Sequence, residues 1–191
     1  MSDTDKQIHQ EIADWLGDIV ALESHVEEAM DAQLTLEASP ELTSAIQRFH
    51  DEVRDSKQRA VEFQKNYGSE AGNPVIKMGS ELLGKAAGVI DKLRKDSVSK
   101  ALRDDYTAFN HTAIAYTMLH TTAMAFNDSA TAQFAEQGLR TYAGLVQDLN
   151  HVIPAAVVHD LVVGEHAPVI DPTAVQQSQD TIANVWQTTS T

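Results

Sequence analysis

The sequence predicts an all-α protein, organised as an antiparallel four-helix bundle. Apolar residues recur at steps of three and four over long segments, which is the period of a helix with one buried face. No segment shows the alternation of apolar and polar residues that a half-buried strand requires. Only five prolines occur in 191 residues, so long segments are free of helix breakers.

The first two helices are predicted from residues 5–36 and from Ser39 to about Asn66. Residues 5–36 contain no proline and one glycine. Ser39 has the character of an N-cap, and Pro40 suits the first position of the helix that follows. The apolar stripe of the first helix is Ile8, Ile12, Trp15, Ile19, Leu22, Val26 and Met30.

A glycine-rich break at residues 67–74 separates the second helix from a short extra helix predicted at 75–93. The third long helix starts after Asp96 or Ser97 and ends at Phe126. A fourth helix follows, and Pro154 is expected to kink or stop it before a last helical piece over residues 155–163.

The chain is expected to form one bundle domain over residues 1–164, followed by a polar tail over residues 165–191. The tail is rich in glutamine and threonine and contains two prolines. A mobile tail is one interpretation. In the other, the tail lies on a protein surface through Ile182, Val185 and Trp186.

The composition excludes several classes of function. A net charge of −14 argues against binding to nucleic acid and to an anionic membrane surface. The absence of cysteine excludes disulfides, thiolate metal sites and a cysteine nucleophile. Because the N-terminus is polar and acidic and no stretch of 18 apolar residues occurs, we expect a cytoplasmic protein without a secretory leader or a membrane span.

Two glutamates lie on stripes that are otherwise apolar. Glu23 falls four residues after Ile19 on the first helix, and Glu52 falls three after Phe49 on the second. A buried charge is costly, so it usually pairs or binds a metal. One carboxylate on each of two neighbouring helices is half of a dimetal carboxylate site. The alternative is a pair of carboxylates at the rim, or carboxylates satisfied by arginine or tyrosine.

The other half of such a site is incomplete in the sequence. No Glu-x-x-His occurs, and the nearest spelling is Asp148 followed by His151. The third helix has no acid from Tyr106 to Asn127 and carries His111 and His120, which are half a turn out of phase.

Three stretches resemble the YciE/YciF family of ferritin-like, stress-associated bacterial proteins. They are residues 16–23, which end at Glu23, residues 49–52, which end at Glu52, and Arg103–Asp104 leading to His111. The resemblance extends over residues 10–153. It implies a ferritin-like bundle, often paired into a dimer, in which inward carboxylates from four helices form a dimetal site.

Carried over by position, the resemblance places Glu23 and Glu52 at ligand positions, with Asp55 and His111 as further candidates. The acids expected elsewhere are replaced by Asn110, Ala113, Thr141 and Gly144. Two divalent ions that share two or three carboxylates repel each other strongly. We therefore expect a degenerate site that holds one divalent metal weakly, with iron possible, or no cofactor.

The resulting hypothesis is a bundle protein that acts by binding and assembly, as a homodimer or larger homo-oligomer, rather than as an enzyme. One alternative is an active di-iron or mono-metal protein for iron or peroxide handling. Its rearranged site combines Glu23, Glu52 and Asp55 with His111, or with Asp148 and His151. Another alternative is a small-molecule binder with a channel lined by Tyr106, Tyr116, Thr117, Thr121 and Tyr142.

Overall fold

The computed structural model describes residues 3–68, 97–163 and 167–188, and these residues are helical with no strand. The class is therefore all-α, as predicted. The predicted short helix at 75–93 lies outside the described residues. The helices are α1 (Asp3–Gln33), α2 (Pro40–Gln64), α3 (Val98–Ala125), α4 (Ser129–Val162) and α5 (Ala174–Thr188), with a 3₁₀ turn at Lys65–Tyr67 after α2.

The four long helices form a bundle in which each helix is antiparallel to both of its neighbours. α1 packs against α2 and α3, and α4 packs against α2 and α3. The pairing of Glu23 with Ser56 and of Asp31 with His50 shows the opposite directions of α1 and α2. The ring stacking of Phe63 on α2 with a phenylalanine of α4 gives their register.

α2 and α3 run in the same direction, because both are antiparallel to α1. The last turn of α2 lies beside the start of α4, where the Tyr67 hydroxyl donates to Asp128 at 2.7 Å. α3 starts at the other end of α4, beside Asp160. The connection from α2 to α3 therefore has its two ends at opposite ends of the bundle.

Capping side chains mark the starts of α2, α3 and α4. Ser39 and Ser97 are the N-caps predicted from the sequence, and each side chain accepts from a backbone N–H three residues on. Asp128 caps α4 by accepting from the N–H of Thr131. Asp160 near the end of α4 accepts from the first N–H groups of α3, which joins the two helices.

The core is a continuous apolar column along the bundle axis, built from all four long helices. Of the stripe predicted for the first helix, Ile12, Ile19, Val26 and Met30 are buried, and the other three members are partly buried. Leu16, which is outside the predicted stripe, is buried as well. Burial of these side chains, rather than intrinsic helix propensity, is the main stabilisation of helices of this kind.

Pro154 does not end the fourth helix, which continues to Val162. The prediction of a separate last helical piece is wrong for that reason. Proline removes one backbone hydrogen bond, but Pro154 and Ala156 are both buried. Their packing holds the chain helical across the missing bond.

Part of the predicted polar tail is the helix α5, which packs against α4. The Gln179 side chain donates to the backbone carbonyl of His151 at 2.7 Å. Ile182 is partly buried, whereas Val185 and Trp186 are about half exposed. Within residues 3–68, 97–163 and 167–188, no helix has both the length and the hydrophobicity needed to cross a bilayer.

Candidate functional site

Glu23 lies at the centre of the bundle with none of its surface exposed. Each of the other three long helices brings one hydroxyl group to this level: Ser56 from α2, Tyr116 from α3 and Tyr142 from α4. Ser56 Oγ donates to Glu23 Oε1 at 2.7 Å, and Tyr116 Oη donates to the same oxygen at 2.9 Å. The site is thus a single carboxyl group in a shell of hydroxyls.

Two tyrosine rings stack to form one wall of the site. The rings of Tyr116 and Tyr142 are 5.9 Å apart between centroids, and their planes are inclined by 29°. Gly138 on α4 makes space for them, because a Cβ at this position would lie 2.2 Å from Tyr116 Cε1. A glycine inside a helix costs stability, and here the close approach of the tyrosine ring explains it.

Burial dominates the electrostatics of the site. Removal from water disfavours the charged form and raises the pKa of Glu23 to about 7. Hydrogen bonds from Ser56 and Tyr116, and the guanidinium of Arg59, act in the opposite direction. Burial and the neighbouring carboxyl group also raise the pKa of both tyrosines, so both hydroxyls are protonated donors.

One edge of the carboxyl group lacks a well-formed hydrogen bond. The Tyr142 hydroxyl is close enough to lower the Glu23 pKa. However, neither that hydroxyl nor Glu23 Oε2 has a partner of good geometry among the described residues. If the carboxyl group is protonated on Oε2 and turns slightly, it can donate to the Tyr142 hydroxyl, and both groups then have a hydrogen-bond partner.

Glu52 is not part of this centre, and the prediction that it faces the interior is wrong. Its side chain is exposed on α2, whereas Val53 and Ser56 are buried. Consecutive residues of an α-helix are rotated by about 100°, so the burial of Val53 directs its neighbour Glu52 away from the core. Ser56, one turn later, takes the interior position that the sequence analysis gave to Glu52.

The other predicted ligands also lie away from Glu23. Asp55 is exposed and accepts from the Arg54 guanidinium at 3.1 Å. His111 and His151 are exposed on α3 and α4. Asp148 forms an ion pair with Arg48 at 3.0 Å on the surface between α2 and α4.

The donor set at the centre does not fit a dimetal site. In residues 3–68, 97–163 and 167–188, no group of three His, Asp or Glu side chains is close enough to hold a metal ion. From the part of the chain that the structure describes, the centre has one carboxylate, and two divalent cations need about four negative charges for neutralisation. The tyrosine and serine hydroxyls are protonated, so they add no charge.

Sequence reasoning missed Ser56, Tyr116 and Tyr142 as partners of Glu23. Tyr116 and Tyr142 were assigned to a possible channel with Tyr106, Thr117 and Thr121. The structure separates these groups, because Thr117 and Thr121 are exposed and donate to carbonyls of their own helix. A useful signal was Gly138, since a glycine four residues before a buried tyrosine in a helix indicates a large neighbour.

Other buried polar groups form ordinary pairs nearer the α1–α2 turn. Gln33 donates to Asp105 at 2.8 Å, which joins α1 to α3. His50 Nε2 is 2.8 Å from Asp31 Oδ1, which joins α2 to α1. These pairs link neighbouring helices at defined positions and so fix the register of the helices.

Comparison with known proteins places the chain in a family. A search of curated proteins found no match. A crystal structure of a protein from Xanthomonas campestris pv. campestris is similar, with a TM-score of 0.64 and 22% identity. That match covers 81% of this chain and 96% of the other, and it shows the fold alone. The family profile described as "Domain of unknown function (DUF892)" matches residues 7–162, so the chain belongs to the DUF892 family.

Proposed function

We propose that this protein is a ferritin-like, stress-associated bundle of the YciE/YciF type that acts by binding and assembly rather than by dimetal chemistry. The single observation that supports the proposal is the shell of Ser56, Tyr116 and Tyr142 around Glu23. The helix order, with one long connection between α2 and α3, agrees with a ferritin-like arrangement.

The argument rests on charge. Ferritin-like dimetal sites use inward carboxylates, with histidines completing the coordination. Among the described residues, Glu23 is the acid at this level of the core, because the buried Asp105 pairs with Gln33 nearer the α1–α2 turn. The pKa of about 7 leaves Glu23 partly protonated at neutral pH. A divalent ion must therefore displace a proton and is left with at most one negative ligand. The expected affinity is low for one ion and lower for two.

Metal analysis of protein loaded with Fe(II), Mn(II) and Zn(II) tests this proposal. We expect less than one ion per chain after dialysis and no oxygen consumption above the buffer blank when Fe(II) is added. The Glu23→Gln variant should behave as the parent does. Two tightly bound ions per chain, lost in Glu23→Gln, would contradict the proposal.

The alternative of a rearranged site depends on Glu52. This residue lies with Asp51 and Asp55 along the exposed side of α2, where Arg54 already forms ion pairs with both aspartates. We expect Glu52→Ala to leave metal content unchanged. Loss of a stoichiometric ion in this variant would favour the rearranged site and a role in iron or peroxide handling.

We propose assembly as a homodimer through the outer face of α3. Ile114 and Met118 are 57% and 44% exposed on this face. Their neighbours on the same side include Thr107, His111 and Thr121, and from Thr107 to Ala125 the helix has no carboxylate and no lysine or arginine. A second copy of an acidic chain meets little charge repulsion there.

A further inference from the structure

A groove of about 630 Å³ lies on the surface between α5, which packs on α4, and the neighbouring helix α3. Small-molecule sites in proteins usually have volumes of about 300–1,000 Å³. One wall of the groove is α5, and this helix begins at Ala174, beyond the family match at residues 7–162. The wall is therefore an addition to the part of the chain that defines the family.

The floor of the groove is apolar and made of small side chains. Ala113 on α3 and Ala143 and Val146 on α4 line it, and their small size makes it deep. From α5, Ile182 and Trp186 complete the apolar lining. Trp186 remains 52% exposed, so a flat molecule that lies against the tryptophan ring would cover a large apolar surface.

Amides and one imidazole form the polar part of the lining. They are Asn110, Gln147, Asn150, His151 and Gln187. The amide of Asn110 is oriented, because its Nδ2 donates to the Tyr106 carbonyl at 2.8 Å and leaves Oδ1 to accept. Amides both donate and accept, so the groove matches a ligand with donors and acceptors along its edge.

Among the residues that the structure describes, the groove lining contains no Asp, Glu, Lys or Arg, although 22% of the chain is charged. An anionic ligand would lack a basic partner and would be repelled by the net charge of −14. A cationic ligand would lack a carboxylate. We infer that this groove binds a neutral, planar heteroaromatic molecule, with its face against Trp186 and its edge on the amides.

Riboflavin and adenosine are suitable probes, with flavin mononucleotide and adenosine monophosphate as charged counterparts. Equilibrium dialysis against the full chain should show saturable binding of at least one neutral probe. The matching phosphate should bind at least about tenfold more weakly than the neutral probe. If neither neutral probe binds saturably, or if the phosphates bind equally well, the inference is wrong.

The position of the ligand can be tested with two pairs of variants. Ala143→Leu fills the floor of the groove and should weaken binding about tenfold, whereas Ala130→Leu on the exposed first turn of α4 should not. The chain has two tryptophans, Trp15 and Trp186. Quenching of riboflavin fluorescence should persist in Trp15→Phe and be lost in Trp186→Phe.

Two results would place the ligand elsewhere and overturn the inference. One is equal binding by Ala143→Leu and Ala130→Leu. The other is quenching that disappears with Trp15 rather than with Trp186. Circular dichroism of each variant verifies that the helices are retained.

Asn150→Asp replaces an amide of the groove lining by a carboxylate of nearly equal size. The added carboxylate should alter the relative affinities of neutral and charged probes while the groove keeps its shape.

Discussion

At the scale of single residues, Glu23 makes the stability of the bundle depend on pH. Its pKa rises from an ordinary value of 4.5 to about 7 on folding, because burial disfavours the carboxylate. Between these two values the folded chain holds a proton that the unfolded chain has lost. The contribution of this carboxyl group to the free energy of unfolding is therefore largest below about pH 4.5, falls as pH rises and is smallest above about pH 7.

Glu23→Gln should remove this pH dependence. A shift from 4.5 to about 7 corresponds to about 3 kcal/mol of stability lost between pH 4.5 and 7. The glutamine oxygen can still accept from Ser56 and Tyr116, and its amide nitrogen can donate to Tyr142. Urea unfolding at a series of pH values, monitored by circular dichroism, measures the difference between variant and parent.

Glu52→Gln is the matched control, because it makes the same substitution at an exposed glutamate on α2. This variant should follow the pH profile of the parent. If Glu23→Gln also followed it, the carboxyl group at position 23 would not be the buried acid that this structure shows.

At the scale of the element, the glycines of α4 have opposite roles. An alanine at Gly138 would place its Cβ 2.2 Å from the Tyr116 ring, whereas nothing lies within 4 Å of a Cβ at Gly144. Glycine to alanine in a helix normally stabilises by about 0.5–1 kcal/mol. Overpacking a core costs about 1–3 kcal/mol, so the clash at position 138 decides the sign there.

We therefore expect Gly138→Ala to lower the free energy of unfolding and Gly144→Ala to raise it. Thermal unfolding of the two variants beside the parent measures both effects. Gly138→Ala should also shift the pH profile of stability, because a displaced Tyr116 no longer donates to Glu23. Stabilisation by both alanines would show that the tyrosine ring has room to move.

The start of α3 depends on Asp160 of α4. This carboxylate accepts from the N–H groups of Val98 and Ser99 and from Ser97 Oγ, at 3.1, 2.9 and 2.7 Å. Burial acts to raise its pKa, but the hydrogen bonds from Ser99 and Ser97 outweigh burial and lower it. The stabilisation is present above the ordinary aspartate pKa and is lost as pH falls through the lowered value.

Asp160→Ala should cost about 1–2 kcal/mol at neutral pH, the usual cost of losing a helix cap. The cost should shrink in acid, where the parent carboxylate is protonated. Chemical unfolding at neutral and acidic pH tests both statements, with Asp180→Ala at an exposed position on α5 as the control. An equal cost at both pH values would argue for lost packing rather than lost charge.

The sequence predicted elements better than it predicted the orientation of single side chains. A stripe that contains Ile12, Ile19 and Val26 predicts a buried face because the hydrophobic periodicity extends over many turns. Glu52 shows the limit of this reasoning. When an apolar stripe is several residues wide, the sequence does not determine which residue at its margin faces the core. In this structure that residue is Ser56 rather than Glu52.

Pro154 shows a second limit of sequence reasoning, because the propensity of one residue competes with packing that a sequence does not display. The partners of Glu23 were hidden for the same reason. Tyr116 and Tyr142 are 93 and 119 residues from Glu23 along the chain. The lengths of the connections between helices do not determine which residues of two helices lie at the same height in the bundle. The Ser39 cap was predictable because it involves only its own helix.

At the scale of the whole molecule, the outer face of α3 determines the proposed assembly. The part of α3 from Thr107 to Ala125, which defines this face, is about 28 Å long. A contact strip about 10 Å wide, the diameter of a helix, therefore buries about 280 Å² on each copy, or about 560 Å² in total. Stable interfaces bury about 1,200–2,000 Å². A dimer through α3 alone should therefore dissociate on dilution.

Light scattering coupled to size exclusion, over a range of loading concentrations, tests this expectation. The mass should rise from that of one chain to that of two as concentration increases. Met118→Glu places a carboxylate on the face of both copies and should keep the chain monomeric throughout. Leu161→Glu makes the same kind of change at an exposed apolar residue near the end of α4 and should leave the transition in place. A parent that stays monomeric at every concentration, or a dimer that survives Met118→Glu, would show that α3 is not the interface.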